Sequence, residues 1–392
     1  MTGNTSCPEI TKKCEIGLEN FVFILCFLLF FTLFVSQMGL VNTINTMMNT
    51  AYALLLDTVL YLTAICVLMG AVAALFTEFG VVSLANRLLQ PLMQPLYGLP
   101  GAAALGIVTT FLSDNPAILT LANDRYFKSF FRKYQLPALT NLGTSFGMGL
   151  IVCTYMLGLS AGSRLSFGKS VIAGLLGAVI GSIVSTRLML AFTKKFFGAD
   201  ASSLSGQESP THHTETRPIR PGGSGLRLMS ALLEGGADGV AMGISIVPGV
   251  LIICTFIMML TNPASVGGTY TGAAYEGIGL LPALAEKCSF LLNPLFGFSS
   301  PEAISVPITA LGAAGAATGI AGRLVSDGLA DAGDIAVFTA MCMCWSGYLS
   351  THVSMMSSLG HRDLIGKAII SHTAGGLCAG VTAHWLFELL CI

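Results

Sequence analysis

Apolar residues along this chain gather in long blocks, without the strict alternation of half-buried strands or the narrow stripe of surface helices. Blocks long enough to cross a bilayer as helices lie near 20–40, 51–76, 137–160, 168–193, 238–260, 335–357 and 366–390, which predicts seven crossings. Two further apolar stretches, about 98–122 and 297–322, are interrupted near their middles by glycine, proline and small polar residues. Non-helical backbone at membrane depth persists only where protein or a water-filled cavity surrounds it, so each stretch is expected to form a re-entrant helical hairpin. The pattern predicts an all-α polytopic membrane protein with about seven transmembrane helices and two re-entrant hairpins.

The blocks also repeat. Pro95-Leu96-Tyr97-Gly98 returns 199 residues later as Pro294-Leu295-Phe296-Gly297, and Phe167-Gly168-Lys169 returns 198 residues later as Ile365-Gly366-Lys367. Behind the second landmark, Val171-Ile172, Gly177 and Val184 line up with Ile369-Ile370, Gly375 and Thr382. At the front, Asp57-Thr58-Val59 resembles Asp238-Gly239-Val240. The second copy carries an insertion around Thr261 to Glu276. Each copy holds three full crossings, an odd number, so the second must sit upside down relative to the first. Inverted repeats of this kind occur in carriers that open one central site alternately to the two sides. The expected organisation is an N-terminal tail and first transmembrane helix over 1–50, repeat 1 over 51–197, a flexible cytoplasmic linker over 198–227, and repeat 2 over 228–392.

Composition excludes a soluble protein: 53% of residues are hydrophobic and 10% charged, with a mean hydropathy of +0.76. The net charge of -1 favours no anionic partner, and no nucleic acid is expected to bind. Lys12, Lys13, Arg87, Arg125, Lys128, Arg132, Lys133, Lys194, Lys195, Arg217, Arg220, Arg227, Arg362 and Lys367 fall on the side of the amino terminus, against Arg164, Lys169, Lys287 and Arg323 on the other. The positive-inside rule then places the amino terminus in the cytoplasm and the carboxyl terminus outside. The expected location is the cell membrane, the inner membrane of a bacterial-type cell. The segment from Arg125 to Lys133 alternates aromatic and basic residues and reads as an interfacial helix on anionic headgroups. Most cysteines lie inside apolar runs and read as packing residues. Cys342 and Cys344, two apart on one helix, face different sides, and His212-His213 lies in solvated linker sequence. No metal site or resident cofactor is expected.

An ionisable group in a bilayer costs roughly 2.5 to 3.5 kcal/mol at the centre, so each one needs a reason. The first interrupted stretch contains Thr109-Thr110-Phe111-Leu112-Ser113-Asp114-Asn115-Pro116. Proline cannot continue the incoming helix but fits the first turn of an outgoing one, and Ser113, Asp114 or Asn115 would cap that second half-helix with its free amides. The second stretch offers Ser299-Ser300-Pro301-Glu302, again a serine before a proline, but in another register: Glu302 aligns with Ala103, and Asp114 with Ala313. We place the second hairpin's tip, and its chemistry, at Ser299, Ser300 and Glu302. Asn141, Thr144 and Tyr155 on the third crossing and His352 on the sixth are further candidates for contact with a solute or coupling ion. His372 could also carry a proton near neutral pH. The bland readings are helix caps for the carboxylates and interhelical hydrogen bonds for the rest.

The paired Pro-Leu-aromatic-Gly landmarks, the segment ending in Asn115-Pro116-Ala117, and Ser300-Pro301-Glu302-Ala303-Ile304 with Pro307 resemble the Gate, or nucleoside-recognition, membrane domain. That domain also occurs in ferrous-iron permeases and spore-formation membrane proteins, and its hairpin plan is similar to that of concentrative nucleoside transporters. The resemblance covers most of residues 50–385. Iron permeases of this kind have cysteine where this chain has Ser113-Asp114. The glutamate after Pro301 is similar to the Glu-Ala step in the first hairpin of nucleoside carriers, but here it stands in the second copy. No set of nucleophile, base and orienting group falls together, and Gly222-Gly223-Ser224-Gly225 lacks the lysine of a phosphate loop, so no enzyme is expected. The expectation is a secondary active transporter of a small polar organic solute, nucleoside-like or an organic anion, coupled to H⁺ or Na⁺. It works in the lipid bilayer, where a homo-oligomer would supply a fixed scaffold. The alternatives are a divalent-metal permease and a membrane assembly factor that kept the fold without carrying solute.

Overall fold

The computed structural model describes residues 16–123, 127–128, 130–162, 166–198, 219–264 and 268–391. His212-His213, most of the expected linker, and part of the expected interfacial helix at Arg125 to Lys133 lie outside the described residues. Every element described is helical. Six segments are long and apolar enough to cross a bilayer: α1 (Leu18–Met38), α2 (Leu40–Glu78), the stretch Leu136–Gly158, α8 (Gly168–Phe197), α9 (Ser224–Thr261) and Arg362–Cys391. The protein is an all-α, multi-pass membrane protein.

Two helix crossings brace the molecule, and small residues make both possible. α8 crosses the last helix, α16 (Ile365–Cys391), where Gly177 faces Ala379 and Ala383, and Gly181 faces the Gly375 carbonyl and Ala379. Gly375 in turn faces the Gly181 carbonyl and Ser185. These contacts are reciprocal under the shift of 198 residues, since Gly177 corresponds to Gly375 as Gly181 and Ser185 correspond to Ala379 and Ala383. The second crossing sets Gly235, Gly239 and Gly243 of α9 against Gly70, Cys66 and Thr63 of α2. Without side chains at these points the backbones approach closely, and in lipid such close packing supplies much of the attraction between helices.

Both copies of the Pro-Leu-aromatic-Gly landmark end in a left-handed glycine, Gly98 at φ 70° and Gly297 at φ 62°. In the first copy the Arg187 guanidinium donates to the carbonyls of Pro95 and Leu96, and in the second Gly297 lies against the His384 ring. The landmark is thus a helix end locked onto α8 or α16. Ahead of Gly98, helix α3 (Val81–Leu92) leads into a wider π-helical turn at Met93–Tyr97 and exposes Leu84, Leu88 and Leu92. It was not among the predicted elements, because at twelve residues it is too short to register as a crossing.

Each interrupted stretch holds helices on both sides of a break. The first is α4 (Ala103–Leu112) and α5 (Pro116–Asn123). The second begins with a 3₁₀ turn at Pro301–Ile304 and continues as α12 (Ser305–Ala310) and α13 (Ala314–Ser326), after the short helices α10 (Leu280–Lys287) and α11 (Ser289–Phe296).

The expected crossing at 335–357 requires correction, and the one at 137–160, still long and apolar enough to span, carries a break. The block 335–357 is not one helix but α14 (Ala332–Cys344) and α15 (Tyr348–Ser358), parted at Trp345-Ser346-Gly347. The block 137–160 likewise divides into α6 (Leu136–Thr144) and α7 (Gly149–Gly158), parted at Ser145 to Met148. Met148 and Gly347 adopt left-handed backbone, φ 54° and 68°, which ends one half-helix and starts the next. Hydropathy summed over a window does not register a change of backbone hand, so each block read as continuous.

The linker also differs at its end. It was expected to run to 227, but α9 starts at Ser224, and Arg220 is already fixed: its guanidinium meets Glu78 at 2.7 Å and Glu234 at 2.5 Å. Arg227 reaches the same Glu78 carboxylate at 2.6 Å. The grip of Glu234, and then of Glu78, holds the Arg220 guanidinium above its ordinary pKa. The chain after the linker is therefore clamped to the end of α2.

Candidate functional site

The four interruptions of helix meet one another. At the tip of the first hairpin, Thr110 turns its hydroxyl back onto the Gly106 carbonyl, 2.8 Å away, and Ser113 leaves helical geometry. Asp114 accepts the Asn115 backbone amide at 2.7 Å, and α5 begins at Pro116. Asn115 is buried. Its amide donates to the Ser346 carbonyl at 2.5 Å, and its oxygen accepts the Ser346 hydroxyl at 3.1 Å. The same hydroxyl lies 3.3 Å from the Thr144 carbonyl. The first hairpin tip is thus held between the last residue of α6 and the break after α14.

Glycine makes that contact fit. A side chain on Gly147 would collide with the Asn115 amide oxygen and the Ser346 hydroxyl. On the other flank, the Gly347 amide donates to the Ala310 carbonyl at 2.9 Å, at the end of α12, and a Cβ there would stand 2.9 Å from the Gly312 carbonyl. Each interruption presents one carbonyl-rich helix C-terminus and one amide-rich N-terminus. A cluster of such ends, in a protein-lined interior, offers both signs of partial charge to a polar solute or ion.

One cavity reaches this cluster, and a second lies between α2, α7 and the second hairpin. The larger, about 500 Å³, is lined by Thr109, Leu112 and Ser113 of the first hairpin, Ile151 of α7, Cys66 and Thr77 of α2, Asp238 of α9, and Arg220. The smaller, about 230 Å³, is lined by Gly319, Gly322 and Arg323 of the second hairpin, Tyr155 of α7, Asp57 of α2, and Tyr275. Along α2, the smaller cavity ends at Thr58 and the larger begins at Cys66, a separation of roughly 12 Å at the helical rise. Asp57 and Asp238 both stand inside long helices and line cavities.

The candidate residues divide into three groups. Ser113, Asp114, Asn115 and Thr144 come together at the cluster, Thr144 through its backbone. Asn141 and His352 sit nearby in a buried network with Ser185 and His372. Tyr155 is buried against Tyr61 and lines the smaller cavity.

The placement of Ser299, Ser300 and Glu302 at a second tip requires correction. The tip lies at Gly312-Ala313, about ten residues and roughly 15 Å further along. Ser299 instead fastens the hairpin's entrance, donating its amide and hydroxyl to the buried Asp334 carboxylate at the start of α14. The Ser-Pro pair marked a helix start, but at the hairpin's base. The register itself held the better signal, because Asp114 aligns with Ala313. Two site residues went unselected, Gly147 and Gly347, whose importance is an absence of atoms. Among the described residues, no three His, Cys, Asp or Glu side chains gather as a metal site would require.

No protein-family model and no curated protein matches the chain. Solved structures do. The chain is similar to the concentrative nucleoside transporter CNTnw in an inward-facing substrate-bound state, with a TM-score of 0.51 and 14% identity over 83% of this chain and 74% of that one. A CNTnw variant in an intermediate state matches at a TM-score of 0.47 and 14% identity over 83% and 76% of the two chains. An outward-facing variant matches at 0.46 and 15% over 85% and 76%. At such identity the first of these similarities speaks for the shared fold.

Proposed function

We propose that the chain is a secondary active transporter of a small polar organic solute, nucleoside-like or an organic anion. The solute binds where the hairpin tips meet the broken helices, and the two repeats, 51–197 and 228–392, rock about that point in inverted orientation. One observation carries the reading: Asn115 and Ser346 join a tip of one repeat to the break of the other, with one cavity reaching the tip and a second along α2 and α7. Inverted repeats with discontinuous helices at mid-membrane are built for alternating access. The larger cavity, bounded by the first hairpin and Arg220, is the cytoplasmic vestibule, and the smaller, bounded by the second hairpin and Arg323, is the outer one. A coupling cation supplies the driving force. The likeness to a nucleoside transporter in fold adds to this reading and makes nucleosides the first solutes to try.

The test is a thermal-shift screen of purified protein against nucleosides, small carboxylates and divalent metals, with and without Na⁺ and at two pH values. Any stabilising solute is then followed into proteoliposomes. Stabilisation and uptake are expected for an organic solute, with uptake reduced at least about tenfold in Asn115→Ala and Ser346→Ala. Uptake at the wild-type rate in both variants would reject the site. Stabilisation by metal alone would favour the permease alternative, and no response to any ligand would favour the assembly factor.

A further inference from the structure

We infer that His372 is the proton-carrying residue of this protein, charging and discharging against the end of the broken helix α14; the inference rests on the carrier reading and names its coupling ion as H⁺. His372 and His352 lie on α16 and α15, fully buried, with ring centroids 4.6 Å apart. A lone buried histidine usually finds two fixed partners and stays neutral. The surroundings of these two are different.

His372 Nε2 lies 2.5 Å from the Cys344 carbonyl, which can only accept, so this nitrogen carries a hydrogen. Its Nδ1 lies 3.0 Å from the Ser185 hydroxyl. In the neutral ring Nδ1 accepts that hydroxyl's hydrogen, while Ser185 Oγ accepts from the Asn141 amide at 3.1 Å. A proton arriving on Nδ1 reverses this bond: the ring donates and Ser185 accepts. The hydroxyl hydrogen then needs a new acceptor, and a serine inside a helix can turn its hydroxyl to the carbonyl one turn back, here that of Gly181 in α8. The Asn141 amide keeps both its donations, to Ser185 Oγ and to the Ala368 carbonyl at 3.1 Å. The network can therefore hold the charged ring with each of these hydrogens bonded.

Position favours the same residue. Cys344 is the last residue of α14, so Nε2 faces the carbonyl end of a helix, where a cation is stabilised by the dipole. His352 has no such support. Its Nδ1 donates to the Tyr348 carbonyl at 3.1 Å, and its Nε2 is buried without a partner among the described residues. A proton there would have nothing to bond to. Two charged rings at this spacing repel, so the pair takes one proton, on His372. The titratable groups facing it are His352, Tyr348, whose ring lies 4.9 Å away, and Cys344. On the helices packed around it, Asp334 is turned to Ser299, Arg187 to the Pro95 and Leu96 carbonyls, Lys169 to the Leu390 carbonyl, and Lys367 over the Phe196 ring.

The charge would be felt at the solute site. Cys344 is followed by Trp345 and Ser346, and Ser346 holds Asn115 at the first hairpin tip. Pulling or releasing the Cys344 carbonyl thus acts two residues from the join between repeats. The proton is taken from water on one side and given to water on the other as the repeats rock and uncover the buried ring, which lines neither cavity here, and no other bond is made or broken.

The full chain in liposomes, with ring-labelled histidine, tests this directly by solid-state NMR from about pH 8 to about pH 5, the range in which imidazole ordinarily titrates. One buried ring is expected to gain a second N–H in the wild type and in His352→Gln, with that signal missing in His372→Gln. Ser185→Ala keeps the ring but removes the acceptor for Nδ1–H, and is expected to move the transition to lower pH by on the order of one unit. A His372 ring that stays neutral throughout, or a transition unmoved by Ser185→Ala, overturns the proposal. In parallel, labelled uridine is offered to the same liposomes under an inward proton gradient. His372→Gln is expected to keep exchange of uridine and lose its gradient-driven accumulation; accumulation that still follows the gradient overturns the coupling role. Failure of the wild type to carry uridine or other nucleosides would count against the nucleoside reading of the solute, while the NMR titration still decides whether His372 takes the proton.

Discussion

Gly147 carries no side chain because the first hairpin tip occupies the space one would need. Gly147→Ala drives a methyl group into the Asn115 amide and the Ser346 hydroxyl, and is expected to abolish uptake while leaving the protein in the membrane. Asn115→Ala removes the donor to the buried Ser346 carbonyl, and leaving such a group unpaired costs about 1–3 kcal/mol. Its thermal midpoint should fall as its uptake does, whereas Ser299→Ala, at the hairpin's base and away from the tips, should lower stability more than solute affinity. Measuring both quantities in both variants checks the division. At this scale the sequence was legible where chemistry is concentrated. Ser113-Asp114-Asn115-Pro116 announced a helix start inside a membrane stretch, and it lies at a tip. Ser299-Ser300-Pro301-Glu302 announced a helix start equally well, but proline and serine mark where a helix begins, not how deep in the bilayer it begins.

Helices meet here through small residues, so the elements are sensitive to added volume. Gly181→Leu pushes into the Gly375 carbonyl and Ala379, and overfilling of this kind costs about 1–3 kcal/mol. The reciprocal shift of 198 residues predicts that Gly375→Leu, against Gly181 and Ser185, costs a similar amount, readable as matched falls in thermal midpoint. A large fall in one and none in the other would argue against the local twofold. The elements themselves were largely evident from apolar blocks. The breaks at Ser145 to Met148 and Trp345 to Gly347 were not, because a left-handed residue within an apolar run changes direction without changing hydropathy. The short polar steps Thr144-Ser145 and Ser346-Gly347 were the available hints.

Taken whole, the molecule presents two cavities along α2, one at its middle and one toward its end at Glu78. In a Cys66→Ala background, Thr109→Cys is expected to react with a membrane-impermeant thiol reagent from the cytoplasmic side, and Ser326→Cys from the outside. Bound solute should slow both reactions. Labelling of both from one side would contradict alternating access. At the end of α2 nearest the larger cavity, Glu78 holds Arg220 and Arg227 together, so the linker's exit is fixed to α2. Glu78→Gln should lower the thermal midpoint and hasten proteolysis near Arg220.

The solvent, the helical class, the recurrence of the landmarks and the polarity of one hairpin tip were all legible along the chain, because these depend on composition, block length and local turn chemistry. Which interruptions meet was not, and came from packing alone. Asn115 and Ser346 are 231 positions apart, and nothing local links them. His372 and Cys344 read as a lone imidazole and a packing thiol until α14 and α16 were seen to place one against the other's carbonyl. Long-range pairing of this kind follows from packing helices without side chains at their crossings, and a missing side chain leaves its evidence only in the residues that fill its place.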